Sequence, residues 1–176
     1  MGDTGQTCLT TVDGVDFQIP EPKPFSKGWY SHKFKGPGLR YEIVICITTG
    51  WIVAFNGPFK AGNWPDKRIF KSLLKTKLEP GEKVVADCGY KGDSSCVNPD
   101  MGTNEQKAAM NAARARHETV NGRIKNWGSM KQVFRHHRDK HQLAFRSVLN
   151  IEQIKMMNGK PAFQVEPVIE PQYAWE

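Results

Sequence analysis

Apolar and polar side chains alternate over residues 10–19 (TTVDGVDFQI). Val15, Phe17 and Ile19 share one face, Asp16 and Gln18 the other. A period of two predicts a strand with one face in the core and the other in water, leaving Asp16 solvated. Asp13 falls on the apolar face, unless a bulge at Gly14 exchanges the two. Segment 20–40, rich in Pro, Gly and Lys, reads as an irregular connection. Residues 41–48 (YEIVICIT) then form a continuous apolar run suited to the middle of a sheet. A turn at Thr49 and Gly50 leads to a third strand over 51–55, completing a hairpin.

From Pro65 the pattern turns helical, with Ile69, Phe70, Leu73, Leu74 and Leu78 on one side until Pro80-Gly81. Residues 83–87 (KVVAD) read as a short buried strand, followed by a loop to Gly102. Thr103 and Gln106 fit a capping box opening a long helix to about Trp127. Its core stripe is Ala113, His117, Val120, Ile124 and Trp127, and Glu118 lies on the neighbouring face with Arg114, Asn121 and Lys125. A last helix runs from near Asp139 to Asn158 and Gly159. The order strand, strand, strand, helix, strand, helix, helix predicts an α/β fold. Its mixed sheet is a three-strand meander plus a parallel strand, flanked by helices. Residues 1–159 are expected to form one domain, and 160–176 an acidic, partly ordered tail.

The chain has 176 residues, 39% hydrophobic and 24% charged, enough for one packed core. No apolar run is long enough to cross a bilayer and no signal peptide is visible, so a soluble intracellular protein is expected. The net charge of +7 fits either a polyanionic partner or a basic surface that only confers solubility. Cys8, Cys46, Cys88 and Cys96 form no CxxC pair, and no disulfide framework is expected. His136, His137 and His141 stand close together, but no cysteine pair lies at finger spacing from them. They read as surface or phosphate-facing residues rather than zinc ligands. Trp51, Trp64 and Trp127 are expected to pack in the core.

Three carboxylates carry the candidate chemistry. Asp13 on a core-directed face is costly unless it is paired or binds a metal. Asp87 ends an apolar strand, where catalytic groups of α/β sheets gather, though this motif alone favours a turn-forming Asp. Glu118 alone reads as an i, i+4 surface pair with Arg114. Two acids on strands and one on a helix can nevertheless converge on one side of a sheet. Such hard oxygen ligands suit a pair of Mg²⁺ or Mn²⁺ ions.

At these positions the sequence resembles the DDE superfamily endonucleases of the PIF/Harbinger and IS5-like transposase group. The segments are TVDGVDFQI around Asp13, NGPFKAGNWPDKRIF around Asp66, VVADCGYKG around Asp87 and ARARHETVNGRIKNW around Glu118. YSHKFKGPGLRYEIVICI resembles the family's second strand and its lead-in. The resemblance implies an RNase H-like fold and a catalytic, metal-binding triad of Asp13, Asp87 and Glu118. It further implies two Mg²⁺ or Mn²⁺ ions, DNA phosphodiester cleavage leaving a 3′-hydroxyl that can attack target DNA, and a nuclear location. Asp66 matches a further family acid, either auxiliary to the site or opening its helix.

Lys33, Lys35, Arg40, Arg114, Arg116, Arg123 and Lys125 are candidate DNA phosphate contacts, or else an ordinary solvated basic face. About a dozen residues precede Asp13, too few for a helix-turn-helix. End recognition is therefore expected from a separate DNA-binding protein or from the rest of a longer chain. Two other classes stay open: a catalytically silent, transposase-derived DNA-binding or interaction module, and an RNase H-like enzyme acting on RNA or hybrids.

Overall fold

A computed structural model describes residues 8–98 and 103–164, apart from the side chain of Gln106. Its strands are β1 (Cys8–Gln18), β2 (Tyr30–Ser31), β3 (Gly36–Cys46), β4 (Ile52–Lys60), β5 (Lys83–Ala86) and β6 (Cys96–Val97). The helices are α1 (Asp66–Ser72), α2 (Asn104–Lys125), α3 (Gly128–Lys131) and α4 (Asp139–Met157). The strands form one six-stranded mixed sheet in the order β2-β3-β1-β5-β6, with β4 also paired to β3. β1, β3 and β4 make the antiparallel meander, and β5 joins β1 in parallel after the crossover through α1. This is the expected α/β arrangement.

β1 is covered on both faces, which explains its composition. Val15, Phe17 and Ile19 pack with Tyr41, Ile43 and Ile45 of β3 against Val120 and Ile124 of α2 and Phe145, Val148 and Leu149 of α4. On the other face Val12, Val44, Val84 and Ala86 meet Phe70 of α1 and Tyr90. Polar residues of that second face are therefore buried, and the solvated Asp16 expected from alternation is incorrect. Asp16 is 3% exposed, accepts a hydrogen bond from Ser31 Oγ and is ion-paired with Arg40.

Other departures are local. The helical run from Pro65 stops at Ser72, because Leu73 leaves helical geometry (φ −142°, ψ −64°), and continues as a 3₁₀ turn over Leu74–Lys77. β4 extends to Lys60, past the end expected at residue 55. His141 is not a surface residue: it is fully buried, and its Nδ1 lies 2.8 Å from Tyr41 Oη. His136 and His137 are exposed. Trp51 is not in the core but 40% exposed, whereas Trp127 is half-buried and donates through Nε1 to Glu152. The partner of Thr103 in the expected capping box, Gln106, and most of the acidic tail lie outside the described residues. Among the described residues no helix is long and apolar enough to cross a membrane, and no disulfide joins the four cysteines.

Candidate active site

The parallel register sets the two aspartates side by side. Thr11 pairs with Val85 and Val12 with Ala86, so Asp13 and Asp87 are the next residues on adjacent strands. No bulge intervenes at Gly14, which keeps its place opposite Glu42 of β3. α2 crosses the face of β1 that carries Asp13, anchored through Val120 and Ile124. One helical turn back toward its N-terminus, Glu118 reaches the same opening. Asp13, Asp87 and Glu118 all line one cavity of about 340 Å³, together with Lys33, Asn111 and Arg114.

Each aspartate is oriented by a glycine amide. Gly14 N–H donates to Asp13 Oδ1 and Gly89 N–H to Asp87 Oδ1, both at 2.8 Å. Asn121 Nδ2 donates to Asp13 Oδ2 at 3.2 Å, one helical turn beyond Glu118. Burial pushes the Asp13 carboxyl up to about 6; Lys33 opposes the shift, while Asp87 and Asp66 add to it. Lys33 is fixed by a hydrogen bond to the carbonyl of Gly14. His117 belongs to the core stripe, yet it also forms a wall of the cavity, 2% exposed. Burial holds its imidazole down to about 4. A Thr11 backbone group lies alongside, but neither ring nitrogen attains hydrogen-bond geometry with any group.

The chain belongs to the DDE superfamily endonuclease family. Its family model matches residues 12–154, from the strand bearing Asp13 to near the end of α4. No curated protein and no solved structure matches the chain. Family membership supports a transposase- or nuclease-type function with DNA as substrate, and the mixed sheet with flanking helices is compatible with the RNase H-like nucleases of this family.

The basic residues divide within this DDE endonuclease fold. Lys33 and Arg114 line the cavity, and Lys125 lies near enough to feel the charges of Asp13 and Lys33. Lys35 is exposed beyond β2. Arg40 is not a free surface cation: it is 9% exposed and bound to Asp16, with Asp66 at 3.3 Å. Arg116 donates to the Ile47 carbonyl, and Arg123 to the carbonyls of Lys160 and Pro161. Arg114 and Glu118 face the cavity without forming the ion pair considered from their spacing. Asn111, which lines the cavity, and Asn121, which holds Asp13, escaped notice as site residues, although their spacing of seven and three from Glu118 puts them on its face.

Divalent cations fit this donor set. A partly buried carboxylate raised by burial and by two neighbouring acids, with Lys33 and the Gly14 amide opposing, gains from added positive charge. Hard oxygen donors suit Mg²⁺ or Mn²⁺ rather than zinc. Among the described residues, no three acidic, His or Cys side chains are already drawn together at chelating distance.

Proposed function

We propose that this domain is a divalent-metal-dependent DNA endonuclease of transposase type, with Asp13, Asp87 and Glu118 as its acids. One observation carries the reading: residues from three separate elements, β1, the end of β5 and α2, open onto a single polar cavity. Asp13 and Asp87 would hold Mg²⁺ or Mn²⁺ from the sheet side and Glu118 from the helix side. Bound there as a pair, such ions orient a water or hydroxyl nucleophile and offset charge on the leaving oxygen of a phosphodiester.

The protein's own groups do the remaining work. Gly14 and Gly89 amides each hold one oxygen of an aspartate against the backbone, and both aspartates line the opening. Asn121 restrains Asp13 further, and Lys33 and Arg114 present positive charge to an incoming phosphate. Strand transfer by the released 3′-hydroxyl and end recognition by a separate DNA-binding protein extend this reading.

Supercoiled plasmid nicking in Mg²⁺ or Mn²⁺, comparing the parent with Asp87→Ala, tests it. Metal-dependent nicking that disappears in the variant supports the enzyme; equal background in both rejects it. The uncollapsed state of the acid trio favours a second reading, a catalytically silent DNA-binding module. DNA binding without nicking would select it.

A further inference from the structure

The two glycines that hold Asp13 and Asp87 share a neighbour. A Cβ placed on Gly14 would lie 2.2 Å from Asp66 Oδ1, and one placed on Gly89 would meet Asp87 Oδ1 at 2.9 Å and Asp66 Oδ2 at 3.1 Å. The Asp66 carboxylate thus fills space that any other residue at position 14 would occupy. Successive side chains of a strand point to opposite faces, so the Gly14 position faces away from Asp13. Asp66 therefore approaches the site from behind the sheet.

Helix capping does not account for this placement. Asp66 opens α1, but Pro65 holds the cap position and no side-chain capping bond is made. Instead Asp66 Oδ1 lies 3.3 Å from Arg40 Nη1 without hydrogen-bond geometry, and Arg40 is itself clamped to Asp16. The chain Asp16–Arg40–Asp66 runs beneath β1 and ends on the two glycines.

We propose that Asp66 is a positioning residue: anchored by Arg40, its side chain braces the Asp13–Gly14 and Asp87–Gly89 backbones together from the far side of the sheet and so sets the separation of the two acids. The consequence for cation binding rests on the functional reading above, whereas the brace itself does not. A positioning role depends on the size and shape of the side chain more than on its charge.

The test uses the full chain with ¹⁵N-labelled glycine, free of metal, followed by a Mn²⁺ titration in the calorimeter. In Asp66→Ala, exchange at the Gly14 and Gly89 amides accelerates about tenfold. Mn²⁺ affinity falls about tenfold, the size typical of weakened support behind a metal ligand. Asp66→Asn, equal in shape, stays within about threefold on both readouts, and Gly14→Ala, which evicts Asp66, behaves like Asp66→Ala. Unchanged glycine amides in Asp66→Ala overturn the proposal. So does an Asp66→Asn variant as weak for Mn²⁺ as Asp66→Ala with amides undisturbed, since Asp66 would then act through its charge. Should Asp66→Ala fail to fold, Gly14→Ala decides: faster exchange at Gly89 supports a shared brace, and an unaltered Gly89 refutes it. If the parent binds no Mn²⁺, the nuclease reading fails while the amide comparison still judges the brace.

Discussion

Arg40 grips Asp16 with two nitrogens, Nε to Oδ1 at 2.7 Å and Nη2 to Oδ2 at 2.9 Å, beneath the strand that carries Asp13. The side chains are 11% and 1% exposed, so neither charge can turn to water if the other is removed. Arg40→Met strands Asp16 as a buried anion and is expected to cost about 3–5 kcal/mol. Replacing both partners by apolar residues should recover much of that loss. Urea unfolding of the two single variants and the double variant measures it; a loss below about 1 kcal/mol for Arg40→Met would mean the pair behaves as an exposed one.

The proposed role of Asp13 comes at the expense of stability. Its carboxylate is partly buried beside Asp87 and Asp66, and that burial is the main reason its acidity is weakened. Asp13→Asn keeps the acceptor for Gly14 N–H while removing the charge. Asn121 Oδ1 has no partner now and can accept from the new amide after a flip. The variant should lose metal-dependent nicking by at least about 100-fold, yet melt a few degrees higher than the parent without metal. A lower melting point would show that the carboxylate is held by favourable contacts instead.

The order of the main elements was legible because it depends on local patterns, whereas the grouping of the three acids was expected only from the resemblance. Period two at Val15, Phe17 and Ile19, the apolar run before Asp87 and the helical stripe around Glu118 each survive folding unchanged. Asp16 and Arg40 were misread because alternation reports one buried face and is silent about what covers the other. The cover comes from α1, Tyr90 and a partner 24 positions away. His141 sits in a basic run whose composition mimics a surface, but the rings of Phe17, Tyr41 and Phe134 surround it. The role of Asp66 needs two glycines that only the fold brings together.

DNA affinity should distinguish cations that line the cavity from those held away from it. Lys33 and Arg114 open onto the cavity, whereas Arg116 and Arg123 spend their guanidinium groups on backbone carbonyls. Removing one cation from a DNA phosphate lowers the slope of log affinity against log salt by about 0.9. Lys33→Ala and Arg114→Ala should each reduce it by about one, and Arg123→Ala should leave it unchanged. Fluorescence anisotropy with a short duplex over a range of KCl concentrations provides the slopes. Equal reductions in all three variants would refute the assignment of the cavity as the DNA-facing side.

The buried His141 makes stability fall in mild acid. Its imidazole meets Tyr41 Oη at 2.8 Å and is otherwise enclosed by aromatic rings, and burial holds it down to about 4 from an ordinary 6.5. The unfolded chain therefore takes up a proton at His141 before the folded one does. The sign follows from linkage: this contribution is fully present above pH 6.5, declines as pH falls toward 4, and levels off below. Its full size is on the order of 3 kcal/mol. Other groups titrate over the same range, among them Glu42, whose carboxyl burial pushes up to about 8. The informative quantity is thus the difference between the parent and His141→Gln, measured by urea unfolding at pH 7 and pH 4.5. At pH 7 the variant should be the less stable, because it lacks both the hydrogen bond with Tyr41 and the packing of the ring. The gap should narrow at pH 4.5, where only the parent carries the protonation penalty. A gap that stays constant or widens would show that His141 is protonated inside the folded core, with Tyr41 as its acceptor.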